Sequence, residues 1–150
     1  MKTTHRRQRR AFTLIELLVV LVILGLLAAL VGPRLLGNVE RGRRGTATGQ
    51  ISHFKTALNL YSLDAGGPPS SQQGLSALLE EPSSTPRPLN WRGPYLDEQV
   101  VPLDPWGSEF VYESPGPLGE DFVIISYGKD GQEGGTDDDA DIYSTDLGAG

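Results

Sequence analysis

The chain has 150 residues, a net charge of −6 and no cysteine, so one small domain is expected and disulfide bonds cannot stabilise it. Five of its 13 basic residues lie among the first eleven residues, where no acid occurs, and the rest carries 8 basic against 19 acidic residues. So acidic a body argues against nucleic-acid binding, which depends on clustered Lys and Arg. Without disulfides, a structural metal ion becomes a candidate for bracing a domain of this size.

Residues 12–32 (FTLIELLVVLVILGLLAALVG) are almost wholly apolar, and Glu16 is their one charged residue. About 20 apolar residues match the length that crosses a bilayer as a helix. Three interpretations compete: a signal peptide, a permanent membrane helix, or a helix that changes environment. A signal peptide fits poorly, because Glu16 sits near the start of the run and no small-residue cleavage pair ends it before Gly32-Pro33. The basic residues 1–11 suit a cytoplasmic flank.

Helical periodicity resumes after Pro33. Apolar residues recur at spacings of three and four on one stripe, at Ile51, Phe54, Leu58 and Tyr61. Four glycines interrupt the approach to this stripe, each at a cost of about 1 kcal/mol relative to Ala in a helix (Gly37, Gly42, Gly45 and Gly49). The pattern predicts one long helix from Phe12 to about Asp64 with a soft middle, ended by the Gly and Pro residues of 65–69.

The remaining elements are short. Residues 71–79 (SQQGLSALL) predict a second helix, capped by Ser70 or Ser71, and a proline-rich loop follows over 81–88. Residues 110–112 and 122–125 are the best strand candidates, and Ile142-Tyr143 is a weak third strand. The predicted fold class is α+β, with a long N-terminal helix packed on a small antiparallel sheet.

Six carboxylates crowd the glycine-rich stretch 130–141: Asp130, Glu133, Asp137, Asp138, Asp139 and Asp141. They repel one another unless a cation lies among them, and calcium suits such a loop because it takes six to eight hard oxygen ligands in flexible geometry. An EF-hand is excluded, because Ile142 stands where that loop requires Gly and Gly148 stands where it requires Glu. The alternative is a solvated acidic tail.

Catalysis finds no support in the sequence. No Ser has a traceable His-Asp partner arrangement, and no Gly-rich phosphate loop follows a strand. His53 is expected to be a surface or packing residue. Trp91 and Trp106 lie in Pro- and Gly-rich turns, where we expect them to pin loops onto the sheet.

Several motifs together resemble the type IV pilin and pseudopilin superfamily, and most closely the major pseudopilins of type II secretion systems. The leader motif is the basic head followed by residues 11–16 (AFTLIE). The body motifs are residues 60–64 (LYSLD), 73–78 (QGLSAL), 90–96 (NWRGPYL), 102–107 (PLDPWG), 114–116 (SPG) and 126–131 (SYGKDG). The leader marks the superfamily and the body motifs mark its secretion branch.

This resemblance implies a pilin-like fold in three parts: a leader over 1–11, a transmembrane and filament-core helix over 12–32, and a periplasmic domain over 33–150. It implies that prepilin peptidase cuts between Ala11 and Phe12 and methylates the new Phe12 amino group. Ala11 stands where the family usually has Gly, but it is also small, and cleavage is expected. The resemblance further implies that Glu16 of one subunit meets the Phe12 amine of a neighbour during assembly, which relieves two poorly solvated charges and fixes register.

The resemblance also implies a structural calcium ion in the acidic loop. Carried over by position, its ligands are the Tyr127 carbonyl and the carboxylates of Asp130, Asp139 and Asp141. Because loop length varies in the family, Asp138 could replace Asp139, and a carbonyl near Gly135 or Thr136 could contribute.

The function implied is that of a non-enzymatic major pseudopilin, anchored in the inner membrane and polymerised into a periplasmic filament that drives export of folded proteins. The implied partners are copies of itself, minor pseudopilins, an inner-membrane assembly platform and prepilin peptidase. Two alternatives remain: a type IV pilin or DNA-uptake pseudopilin, and a solitary membrane-anchored calcium-binding protein. The absence of a cysteine pair near the C-terminus weighs against a surface pilin.

Overall fold

A computed structural model describes residues 12–148, with the backbone alone for residues 31–36 and Gly148. One long helix, α1, spans Leu14–Ala65. A 3-10 helix follows at Leu75–Leu78, and three short strands are β1 (Val111–Glu113), β2 (Val123–Ser126) and β3 (Ile142–Tyr143). Further 3-10 turns lie at Asp137–Asp139 and Asp146–Gly148. The predicted class, a long helix with a small antiparallel sheet, is confirmed.

The chain divides into two compact units, of which the first ends at Val39 and the second begins at Glu40. The predicted division into residues 1–11, 12–32 and 33–150 stays a prediction. In the first unit, the large apolar side chains described between Leu14 and Leu30 are all at least 48% exposed. No helix in the described part of the chain is long and apolar enough to cross a membrane. A membrane-spanning role for residues 12–32 stays a prediction.

The core of the second unit forms on the predicted stripe of α1. Ile51, Phe54, Leu58 and Tyr61 are each at most 2% exposed, as the 3.6-residue period requires of one helix face. They pack with residues of the 3-10 helix and the sheet: Leu75, Leu78, Phe110, Tyr112 and Ile124. The rings of Phe54 and Phe110 meet edge to face with centroids 5.1 Å apart.

The sheet has the order β1-β2-β3 and is antiparallel throughout. Its central strand β2 is buried at all four positions, which explains its uninterrupted apolar sequence. Tyr112 pairs with Ile124 in one register, and Ser126 pairs with Ile142 in the other. The weak third strand predicted at residues 142–143 is therefore present and closes the sheet.

The sequence predicted a soft middle in the long helix and an end at the Gly and Pro residues of 65–69. The backbone of α1 is helical through Gly37, Gly42, Gly45 and Gly49. The helix ends at Ala65, directly before Gly66, whose φ of 88° only glycine adopts readily. The second helix predicted over residues 71–79 is present only as the 3-10 helix Leu75–Leu78, so the predicted range was too long. Residues 70–74 form a turn in which Ser70 and Gln73 bond each other reciprocally, and Gly74 at φ 61° leaves only Leu75–Leu78 helical.

Candidate functional site

The expected cleavage point lies just ahead of α1. Phe12 is 80% exposed and precedes the first helical residue by two positions, while Ala11 lies outside the described residues. Exposure of Phe12 ahead of the helix leaves its side of the expected bond accessible to a peptidase. Cleavage and methylation here stay predictions.

Glu16 closes the first turn of α1. Its Oε2 accepts one hydrogen bond from the Thr13 amide and another from the Thr13 hydroxyl, both at 2.9 Å, and the Glu16 amide donates to Thr13 Oγ1 at 3.3 Å. This reciprocal arrangement is a capping box, which satisfies amide groups that the helix start leaves unpaired. The T-x-x-E signature over residues 13–16 is the sequence signal for this capping box.

The capping box gives Glu16 a local role besides the intermolecular one predicted from the resemblance. Within a single subunit its carboxylate is exposed and bonded to Thr13 alone among the contacts described for it. Nothing in one subunit tests whether it meets the amine of another, so that pairing stays a prediction.

The sheet register places two of the predicted calcium ligands side by side. Tyr127 directly follows β2 and Asp141 directly precedes β3, and these strand ends pair through Ser126 and Ile142. Asp141 Oδ2 accepts hydrogen bonds from the Gly134 amide at 2.9 Å and from the Tyr143 hydroxyl at 3.0 Å. The bond to the Asp141 carboxylate raises the pKa of Tyr143, and burial together with nearby Glu133 and Asp141 raises that of Tyr127.

The other oxygen of Asp141, Oδ1, is buried and has no hydrogen-bond partner. A buried carboxylate oxygen without a donor is costly, and a cation is one means of compensating it. Gly135 approaches the carbonyl of Asp139 so closely that any side chain at 135 would strike it. The unpaired oxygen of Asp141 is thus a candidate cation ligand in this loop.

The predicted carboxylate set is only partly assembled. Asp130 accepts from the Gln132 amide at 3.2 Å, and Asp139 lies in the exposed 3-10 turn beside Asp138. No three His, Cys, Asp or Glu side chains gather closely enough to hold a metal ion within residues 12–148 as described. A calcium ion here would have to take several carbonyl oxygens besides Asp141.

Two cations of α1 hold this C-terminal region to the helix. Arg44 donates from Nη1 to the Ala140 carbonyl at 2.6 Å, and Lys55 donates from Nζ to the Ser144 carbonyl at 3.0 Å. Both are side-chain bonds to backbone across about 90 residues of sequence, so they fix the loop's position whatever its acidic side chains bind.

A buried polar network that the sequence did not predict links α1 to the central strand. Asp104, 5% exposed, accepts from the Trp106 and Ser108 amides and from the Ser126 hydroxyl, all within 3.0 Å. Trp106 in turn donates from its indole to Glu40 Oε1 at 2.8 Å, and Glu40 is 7% exposed. The motif over residues 102–107 drew attention to this loop, but its partners are too distant in sequence to be predicted.

Both tryptophans pack against the core to which the sheet contributes, while their indole groups bond to helical segments. Trp91 donates to the Ala77 carbonyl of the 3-10 helix at 3.1 Å, and Trp106 donates to Glu40 of α1. The helical segments supply the acceptors for the two indole groups, namely one carbonyl and one carboxylate. The backbone of β2 is already paired with β1 and β3, so it supplies neither. His53 is exposed, as expected.

Comparison with known proteins covers both parts of the chain. A family model described as "Type II secretion system (T2SS), protein G" matches residues 34–145, and one described as "Prokaryotic N-terminal methylation motif" matches residues 6–32. Two similar proteins bear the name "Type II secretion system core protein G". That of Pseudomonas aeruginosa is 46% identical over 143 residues, covering 95% of this chain and 99% of the relative. That of Vibrio cholerae is 44% identical over 137 residues, covering 91% of each.

A solved structure shares the fold. The major pseudopilin from the type 2 secretion system of enterohaemorrhagic Escherichia coli aligns with a TM-score of 0.62 and 34% identity, covering 74% of this chain and 93% of that one.

Proposed function

Because the chain belongs to the type II secretion system protein G family, we propose that it is the major pseudopilin of such a system, made as a precursor and polymerised into a periplasmic pseudopilus. The family is a structural one and not a family of enzymes. Its members work with other secretion components in the cell envelope. For this chain, we name as partners further copies of itself, minor pseudopilins, an inner-membrane assembly platform and prepilin peptidase.

The observation that carries the proposal is the exposed apolar helix in front of a folded body. Side chains from Leu14 to Leu30 that are half or more exposed would aggregate in water, so they need a bilayer or other subunits around them. Lipid tails and neighbouring helices are similarly apolar, so a subunit can pass from one to the other at little hydrophobic cost. That balance supports storage in the inner membrane followed by assembly.

Processing would create the charge that Glu16 needs. The methylation motif over residues 6–32 brackets the bond between Ala11 and Phe12, and cleavage there exposes an α-amino group with a reference pKa near 8. In an apolar filament core, that cation and the Glu16 carboxylate of a neighbour would each be poorly solvated alone. Pairing them favours one axial register of subunits over others.

The acidic loop would serve as a structural calcium site. Asp141, with its unpaired buried oxygen, would be the central ligand, joined by the Tyr127 carbonyl, Asp130 and Asp139, with Asp138 or a carbonyl near Gly135 as alternatives. Calcium would supply positive charge among the carboxylates and stabilise a domain that lacks disulfides.

The N-terminus of the purified mature protein tests the proposal. We expect Phe12 as the first residue, carrying one added methyl group, when the chain is produced with its prepilin peptidase, and Met1 when that peptidase is deleted. An N-terminus at Met1 or Lys2 in both strains would instead indicate a plain membrane anchor.

A further inference from the structure

The first strand of the sheet has an open outer edge. The sheet order is β1-β2-β3, so within residues 12–148 β1 pairs on one side only, with β2. Ile124 of β2 uses its backbone groups on the β3 side: its amide donates to the Ser144 hydroxyl at 2.9 Å, and its carbonyl accepts from the Ser144 amide at 2.8 Å. Tyr112 is the β1 partner of Ile124, so in this antiparallel ladder the Tyr112 amide and carbonyl point away from β2.

Ser114, two residues farther along the same edge, is already satisfied there. Its amide donates to Ser71 Oγ at 2.8 Å, and its carbonyl accepts from Ser71 Oγ at 3.1 Å. Among the hydrogen bonds described for residues 12–148, none pairs the Tyr112 amide or carbonyl on that side. The outer edge of β1 is therefore closed at Ser114 and open at Tyr112, and open backbone groups of this kind can accept an added strand.

A cleft of about 350 Å³ borders the open part of this edge. Phe110 and Tyr112 form one side of it, and Leu75 of the 3-10 helix and the loop over residues 101–103 contribute the other walls. Leu103 is 51% exposed there, although it is apolar. Every second side chain of an added strand would enter this cleft, so those side chains should be apolar.

The opposite face of β1 carries two acids. Over residues 109–113 the side chains alternate between exposed or half-buried and buried, as the two faces of a strand require. Glu109 and Glu113 are the exposed ones, and they flank the half-buried Val111. Opposite charges directly across a strand pair stabilise the pairing, so an added strand should place Lys or Arg on this face.

A second copy of this chain offers no strand of that kind. Residues 45–150 hold only four basic residues. Lys55 lies in α1, and Arg87 lies between two prolines, which have no amide to donate. Arg92 and Lys129 each stand next to a glycine, which disfavours a strand. The occupant that fits the edge is therefore a segment of another polypeptide.

We propose that the outer edge of β1 binds an extended segment of a partner polypeptide by strand addition, and that the segment alternates apolar and basic residues. Its backbone would pair with Tyr112, its apolar side chains would enter the cleft beside Leu103, and its basic side chains would lie against Glu109 and Glu113. The inference is independent of the proposed function, because it uses the folded body alone.

Fluorescence anisotropy of the full chain in a non-ionic detergent tests the charge pattern. The probes are two labelled seven-residue peptides, one alternating lysine with valine and one alternating glutamate with valine. We expect the wild type to bind the lysine peptide at least tenfold more tightly. Glu109→Lys/Glu113→Lys should bind the glutamate peptide more tightly instead. The matched control, Glu80→Lys/Glu81→Lys, changes two exposed acids outside the cleft and should keep the wild-type preference.

Backbone methylation of the lysine peptide tests strand addition itself. In an added strand, alternate amides face β1 and the others face away. Methylating the amides of either the valines or the lysines should therefore weaken binding at least tenfold, and methylating the other set should leave it within twofold. Equal affinity for the two peptides, the same change of preference in both variants, or equal effects of the two methylation patterns would each overturn the inference.

Discussion

Glu16 is bonded to Thr13 within its own helix and is also the residue expected to meet the amine of a neighbour. Three substitutions separate these roles. Glu16→Gln keeps an acceptor for the capping box but removes the charge, and we expect normal cleavage with no filaments. Thr13→Ala keeps the charge but removes the cap, at a cost of about 1 kcal/mol to the first turn, and should still assemble.

Electron microscopy of sheared cells, beside immunoblots for processing, measures both outcomes. Glu16→Ala, which removes cap and charge together, should behave like Glu16→Gln. Filaments at wild-type abundance from Glu16→Gln would remove the charge from the mechanism and leave only the cap.

Tyr112 reports on core integrity at high pH. Its hydroxyl is buried and donates to the Pro69 carbonyl at 2.8 Å, and burial raises the pKa of Tyr112 to about 12. The unfolded chain ionises this group near pH 10, so between pH 10 and 12 the unfolded state holds fewer protons and folding stability falls as pH rises. Below pH 10 this contribution to stability is fully present.

Absorbance titration near 295 nm checks this account of Tyr112. We expect the last of the five tyrosines to ionise with a midpoint near pH 12, and Tyr112→Phe to remove that step alone. If Tyr112→Phe leaves the late step in place, the assignment to Tyr112 is wrong.

A hydrogen bond between Glu40 and Trp106 joins α1 to the loop that precedes β1. Trp106 bonds Glu40, and Asp104 and Ser126 fix Trp106 to the central strand. Trp106→Phe keeps one aromatic ring but leaves a buried carboxylate oxygen of Glu40 unpaired, at a cost of about 1–3 kcal/mol. We expect faster amide hydrogen exchange over residues 40–47.

Trp91→Phe is the matched control for the loss of the Trp106–Glu40 hydrogen bond. It also deletes one indole hydrogen bond, in this case the one to the Ala77 carbonyl. It should lower overall stability without selectively speeding exchange over residues 40–47. Equal local exchange in both variants would mean that Glu40 and Trp106 do not hold this part of the helix.

Periodicity alone placed the elements with strong patterns. The spacing of the apolar residues from Ile51 to Tyr61 predicts a buried helix face, and the apolar run over residues 122–125 predicts a buried strand. Both α1 and β2 are therefore predicted from sequence. The conformation of residues 71–79 does not follow from apolar spacing. It depends on the backbone of Gly74 and on a local hydrogen bond between Ser70 and Gln73. The network around Asp104 joins residues that only tertiary folding brings together, and no local pattern encodes it.

The acidic loop decides how the whole domain responds to calcium. If the ion binds the folded state alone, a 100-fold excess over Kd adds about 2.7 kcal/mol of stability, which raises Tm by roughly 10 °C or more in a domain of this size. We expect chelation by EGTA to reverse that rise in the full-length chain, measured by circular dichroism in detergent.

Asp141→Asn should abolish the response to calcium, because it weakens the ligand with the unpaired buried oxygen. Asp121→Asn, which removes an acid outside the loop, should respond as the wild type does. A wild-type melting curve that is the same in calcium and in EGTA would reject the site.

The central claim is that neighbouring subunits associate through the exposed apolar helix that follows Phe12. The chain has no cysteine, so Leu17→Cys/Leu27→Cys introduces two reactive positions on that helix and no others. Produced with the complete secretion apparatus and oxidised in cells, this variant should form a ladder of disulfide-linked multimers, and either single substitution should stop at dimers. A double variant that is processed correctly but remains monomeric would contradict the account.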